Sequence, residues 1–161
     1  MTYHKPVLLT ESIQGLNIKP DGIYVDVTFG GGGHSKEILK NLKNGFLYAF
    51  DQDLDAEKNS IKSNNFKFIR SNFRYIKNFL RLEGVKKIDG LIADLGISSF
   101  QIDTPKRGFA HKHDSILDMR MNVTSDFGAK EILNSYSEVE IARVLYDYGD
   151  IKQSRKIAKL I

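Results

Sequence analysis

At 161 residues, with 41% hydrophobic and 27% charged side chains, the chain suits one globular core and is too apolar for a disordered segment. The net charge is +4 and there is no cysteine, which excludes disulfides and thiolate metal centres. No apolar run approaches the roughly 18 residues that span a bilayer, and the apolar part of M-T-Y-H-K-P-V-L-L-T-E-S is too short for a secretory signal. A cytoplasmic protein without a membrane partner is expected.

In chain order, Gly22–Val27 is the first β-rich run, and it ends in the stretch V-D-V-T-F-G-G-G-G-H-S-K-E (25–37). A helical pattern over His34–Leu42 follows, with Ile38, Leu39 and Leu42 on one face. Phe46–Asp51 reads as a second strand, Asp53–Ser63 as a helix, Phe66–Arg70 as a third strand and Tyr75–Leu82 as a helix. Ile88–Asp94 is the fourth strand. This alternation predicts an α/β fold, a doubly wound parallel sheet with right-handed crossovers. From Leu95 to Phe127 loop signals dominate. Three helical patterns then run over Ala129–Tyr136, Glu138–Tyr148 and Ile151–Ile161. Ser137 and Glu140 have the spacing of a capping box. The last pattern reaches the C-terminus without a cap, as in a piece of a longer protein.

Ligands of doubly wound sheets bind outside the carboxyl ends of the strands, where Asp26, Asp51 and Asp94 are expected. Consecutive glycines are entropically costly, so their presence there points to a backbone that must approach a ligand closely. A dinucleotide site wants G-x-G-x-x-G, but from Gly30 the third glycine position is Ser35. Charge separates the ligands better. Three carboxylates around one crevice would repel a pyrophosphate, whereas S-adenosylmethionine carries a cationic sulfonium, an ammonium and no phosphate. Asp51, 21 residues after Gly30, suits the ribose hydroxyls of either ligand.

Several motifs in register resemble one known family: H-K-P-V-L-L-T-E (4–11), D-V-T-F-G-G-G-G-H-S (26–35), D-Q-D (51–53), D-G-L-I-A-D-L-G-I-S-S-F-Q-I-D (89–103), K-R-G-F (106–109) and L-D-M-R-M (117–121). That family is the bacterial small-subunit ribosomal RNA cytosine-N4 methyltransferases. The resemblance implies a class I, Rossmann-like S-adenosylmethionine methyltransferase core in residues 1–104. The loop and the start of an inserted helical domain would occupy 105–161, with the segment that completes the sheet lying beyond. It implies S-adenosylmethionine as donor and, as acceptor, a cytosine of the small-subunit ribosomal RNA within the small ribosomal subunit. By the same resemblance Gly32, Gly33 and His34 lie along the cofactor, Asp51 on its ribose and Phe73 near its adenine, while Asp94 and Gln101 close the site. The chain departs from the family pattern at Ser115-Ile116, where G-P is usual, and at Asn122, where an acid is usual.

Methylation of an exocyclic amine requires alignment of a poor nucleophile and an acceptor for its N–H. Asp94 is the candidate acceptor, with cofactor positioning as its other role. Asp51-Gln52-Asp53-Leu54-Asp55 begins like a calcium loop, but Ala56 and Lys62 stand where glycine and glutamate are needed, so Asp53 or Asp55 is expected to cap a helix instead. Arg107 and Arg120 are candidate phosphate contacts. From Lys58 to Ile88 nine lysines and arginines face one acid, Glu83, which is either an ordinary solvated surface or the footprint of a polyanion such as RNA. Three functions follow: an RNA cytosine-N4 methyltransferase, a non-catalytic cofactor- or RNA-binding fragment, and an NAD-type dehydrogenase disfavoured by Ser35 and the acids.

Overall fold

The computed structural model describes residues 6–161, so His4 and Lys5 of the N-terminal motif lie outside the described residues. Four parallel strands, β1 (Ile23–Asp26), β2 (Phe46–Asp51), β3 (Phe66–Arg70) and β4 (Gly90–Ile92), form one sheet in the order β3-β2-β1-β4. Asp26 sits opposite Ala49 of β2 and Ile92 of β4, and Asp51 opposite Arg70 of β3. The strand order reverses between β1 and β4, which makes the carboxyl end of β1 the topological switch point.

Alternate residues of each strand supply two cores, as the period of two requires. On one face Tyr24, Leu47, Ala49 and Phe66 pack with Ile38 and Leu42. Helices α1 (Leu9–Leu16), α2 (Gly33–Asn41) and the short α3 (Leu54–Glu57) contribute Ile13, Leu16, Leu39 and Ala56 to that face. On the other face Val25, Tyr48, Phe50 and Ile69 pack with Leu80, Ile76 and Phe79 of α4 (Ile76–Leu82). Phe50 and Phe79 meet edge to face at 6.0 Å between ring centroids.

The chain divides into two compact units, the first ending at Phe100 and the second beginning at Gln101. The second contains α6 (Ala129–Ser135), α7 (Glu138–Gly149) and α8 (Ser154–Ala158), after a short α5 (Ser99–Asp103) that straddles the boundary. Ile141, Ala142 and Ala158 form its small core, with Leu145 against it. The capping box stands at α7, where the Ser137 N–H donates to Glu140 Oε2 at 2.8 Å and the Glu140 N–H to Ser137 Oγ at 3.4 Å. The long segment between α5 and α6 folds back on itself: the Met119 N–H donates to the Arg107 carbonyl, and Arg107 Nη2 to the Arg120 carbonyl. Arg107 is thereby buried, and the Arg120 guanidinium is chelated by the Asp118 carboxylate. Both therefore organise this segment rather than stand ready for phosphate. The Arg120 guanidinium holds the Asp118 carboxyl below the usual range.

Elements differ from expectation where polar side chains compete with the backbone. The helix expected over Asp53–Ser63 stops at Glu57, because the following Asn59, Ser60, Ser63 and Asn64 are poor helix formers. Its cap is as expected: Asp53 Oδ1 accepts the Asp55 N–H at 3.0 Å. The fourth strand is shorter than Ile88–Asp94, ending at Ile92. Helix α1 was not foreseen, and it starts at Leu8 in the left-handed region with no side-chain cap.

Candidate active site

The turn after β1 is held from three sides. The Val27 N–H donates to the Ile92 carbonyl at 3.0 Å and the Phe29 N–H to the Phe50 carbonyl at 3.0 Å, so the chain crosses from the end of β4 to the end of β2. Gly30 then donates its N–H to Asp51 Oδ2 at 2.8 Å, and its carbonyl accepts from Asn59 Nδ2 at 3.0 Å. The other Asp51 oxygen accepts the Asp53 N–H at 2.9 Å. Thr28 links the remaining strand end, its Oγ1 accepting the Asp94 N–H at 2.7 Å. Asp51 and Asp94 are thus tied to one glycine turn at the switch point.

Two glycines in the turn have no substitute. Gly32 has φ +74°, a left-handed conformation, and a Cβ there would meet the Phe29 ring at 2.9 Å. A Cβ on Gly33 would stand 2.3 Å from the Pro6 ring, which brings the N-terminal motif onto the first turn of α2. His34 follows at 6% exposure, and its Nε2 is buried with no hydrogen-bond partner among the described residues.

Asp26 lies beneath the turn at 1% exposure. Its Oδ2 accepts from Ser35 Oγ at 2.7 Å and its Oδ1 from the Thr28 N–H at 3.0 Å. Burial pushes its carboxyl up, opposed by these two donors and by His34. Ser35, which breaks the dinucleotide motif, therefore ties α2 to the end of β1 through a buried carboxylate. Ser35→Ala is expected to cost about 1.5–3 kcal/mol, the value of a buried hydrogen bond to a charged group. With a donor removed, the Asp26 carboxyl rises further, so the loss grows as pH rises through its folded value. Urea melts across a pH series measure this; a loss that shrinks with rising pH would contradict the assignment.

Burial also raises Asp51, against the lowering effect of the Asp53, Gly30 and Gln52 N–H groups. Asp94 is exposed at the rim. Phe73, 42% exposed, opens a 3-10 turn (Phe73–Tyr75) after β3. The preceding Asn72 fixes that turn to the end of β2, donating from Nδ2 to Gln52 Oε1 at 3.0 Å. Gln101 falls in the second unit, 5% exposed, with Nε2 3.5 Å from Met121 Sδ. Of the sequence candidates, Gly32, Gly33, His34, Asp51, Phe73 and Asp94 all stand at the carboxyl edge of the sheet. Sequence reasoning missed Thr28, Asn59 and the Asp26–Ser35 pair.

A parallel sheet with a glycine turn at its switch point, to which two acids are tied, defines a Rossmann-like α/β domain. The sequence pattern of the MraW methylase family matches residues 1–161, and the chain belongs to that family. The ribosomal RNA small subunit methyltransferase H of Cytophaga hutchinsonii is 58% identical over 161 residues, covering 99% of this chain and 54% of that protein. The proteins of the same name from Flavobacterium johnsoniae and Bacteroides thetaiotaomicron are 54% and 52% identical over 162 residues, covering 100% of this chain and 54% and 53% of theirs. The chain thus spans about half the length of the curated relatives it matches.

Proposed function

We propose that the protein binds S-adenosylmethionine in the β1–β4 crevice and takes part in methylating the N4 amine of a cytosine in small-subunit ribosomal RNA, in the cytoplasm. The observation that carries the cofactor reading is the charge of the crevice: Asp51 and Asp94 are tied to the turn and Asp26 lies beneath it. The nearest base in sequence, Lys36, is exposed and directs its ammonium to the Gly31 carbonyl at 3.3 Å. Such a site suits a sulfonium and an ammonium and opposes a pyrophosphate. The acceptor reading rests on family membership and on the names of the relatives. The described residues contain no helix long and apolar enough to cross a membrane.

The donor fits the residues present. Asp51 keeps accepting capacity for a ribose hydroxyl beside the backbone N–H groups it binds, and the buried His34 Nε2 has no hydrogen-bond partner among the described residues. Phe73 offers an exposed ring for the adenine. When bound, the donor supplies a methyl group on a cationic sulfur, which an aligned amine displaces. Asp94, fixed through its backbone to Thr28, accepts the amine N–H as positive charge develops on nitrogen.

Calorimetry with S-adenosylmethionine and with NAD tests the cofactor, and only the first is expected to give binding heat. Incubation with small ribosomal subunits and labelled donor is expected to yield N4-methylated cytidine on nucleoside analysis. Binding of NAD in place of S-adenosylmethionine would overturn the reading.

A further inference from the structure

The 3-10 turn at Phe73–Tyr75 runs directly into α4, whose inner residues Ile76, Phe79 and Leu80 are committed to the sheet. That packing turns Arg74, Lys77 and Arg81 outward, at spacings of three and four residues that align them on one helical face. Lys86 and Lys87 continue the exposed series in the connection to β4. None of these five bases makes an ion pair among the described residues. The acids nearest in sequence are already engaged by other bases: Glu83 accepts from Lys67 Nζ at 2.6 Å, and Asp89 from Lys19 Nζ at 2.9 Å. Lone bases on a helix face are ordinary; a row of five beside neutralised acids is a directed positive field.

We infer that this face is a track for the phosphate backbone of the RNA substrate, leading to the rim of the crevice. The inference rests on the ribosomal RNA reading above. Its upper end adjoins the site, because Asn72 joins Gln52 next to Asp51. There the Arg74 guanidinium lies over the Tyr75 ring at 4.7 Å and donates from Nη2 to the Tyr75 hydroxyl at 2.6 Å. Its remaining N–H groups are held in a fork suited to a phosphate. Tyr75 is 42% exposed and offers a face on which an unpaired base can stack. From Arg74 to Arg81 the row extends about 10 Å at the helical rise. A strand laid along it is anchored by charge at several successive phosphates, with an unpaired base beside the crevice.

The test is a salt titration of binding to small-subunit ribosomal RNA transcript by filter retention. Lys77→Gln/Arg81→Gln is compared with the unaltered protein and with Lys152→Gln/Lys156→Gln, the same charge removal in the second unit. Loss of two phosphate contacts is expected to flatten the slope of log affinity against log salt by about 1.4–1.8 and to weaken binding on the order of tenfold at physiological salt. The control pair should leave the slope unchanged, and calorimetry should show intact S-adenosylmethionine binding in both. Arg81→Gln alone should give half the change. If the unaltered protein binds RNA and the two double variants behave alike, the track is overturned while the function stands. If the unaltered protein binds no ribosomal RNA, the substrate reading falls and the track with it.

Discussion

Asp51→Ala is expected to weaken S-adenosylmethionine binding on the order of 10- to 100-fold, the equivalent of one lost hydrogen bond to a charged group. One Asp51 oxygen accepts the Gly30 N–H and the other the Asp53 N–H, which fixes the carboxylate at the carboxyl end of β2. Asn is no neutral replacement, because its amide nitrogen would face one of those two donors. The alanine variant also loosens the turn, so affinity alone does not isolate the ribose contact. An analogue lacking the ribose hydroxyls does: it should lose affinity with the wild-type protein and lose little further with Asp51→Ala. Equal losses in both proteins would remove Asp51 from the ribose. Burial has raised its carboxyl, which separates binding from stability. As pH falls through the raised folded value, Asp51 protonates and binding should weaken, while its own contribution to folding stability becomes more favourable.

The sheet was legible because its strands are short aromatic and β-branched runs, and β1 and β2 end in the acids expected of them, Asp26 and Asp51. The structure pairs β2 and β3 over the residues expected of them. What failed to show in sequence depended on a partner far along the chain. The fourth strand looks continuous to Asp94, yet its backbone leaves the ladder because the Asp94 N–H turns to a side chain 66 residues earlier, Thr28 Oγ1. Ser35 read only as a missing glycine, since a motif template has no place for a hydroxyl that reaches back nine residues to Asp26. Asn59 lies where a helix was expected, two residues past its end, and its side-chain amide reaches the Gly30 carbonyl 29 residues earlier. Phe73 and Gln101 came from resemblance alone; one stands at the strand ends and the other is buried in the second unit.

Asp94→Asn is expected to lower methyl transfer by about 100-fold or more in the intact enzyme, within the range for loss of a positioned proton acceptor, with cofactor affinity unchanged. The argument is geometric. Thr28 and Asp94 close the gap between the ends of β1 and β4, and the bond uses the Asp94 backbone N–H, not its carboxylate. The carboxylate stays exposed at the rim, on the side of the crevice opposite Asp51 across the sheet order β2-β1-β4. Asparagine keeps the size and one accepting oxygen, so it can still orient the cytosine amine, but it cannot neutralise the charge that develops on that nitrogen. A positioning role would instead raise the cofactor dissociation constant and leave single-turnover chemistry intact at saturation. Thr28→Val separates the two further, because it removes the acceptor that fixes the Asp94 backbone while leaving the carboxylate in place. It should lower the rate less than Asp94→Asn does. Wild-type single-turnover rates for Asp94→Asn at saturating donor would take Asp94 out of the chemistry and leave the amine proton to solvent.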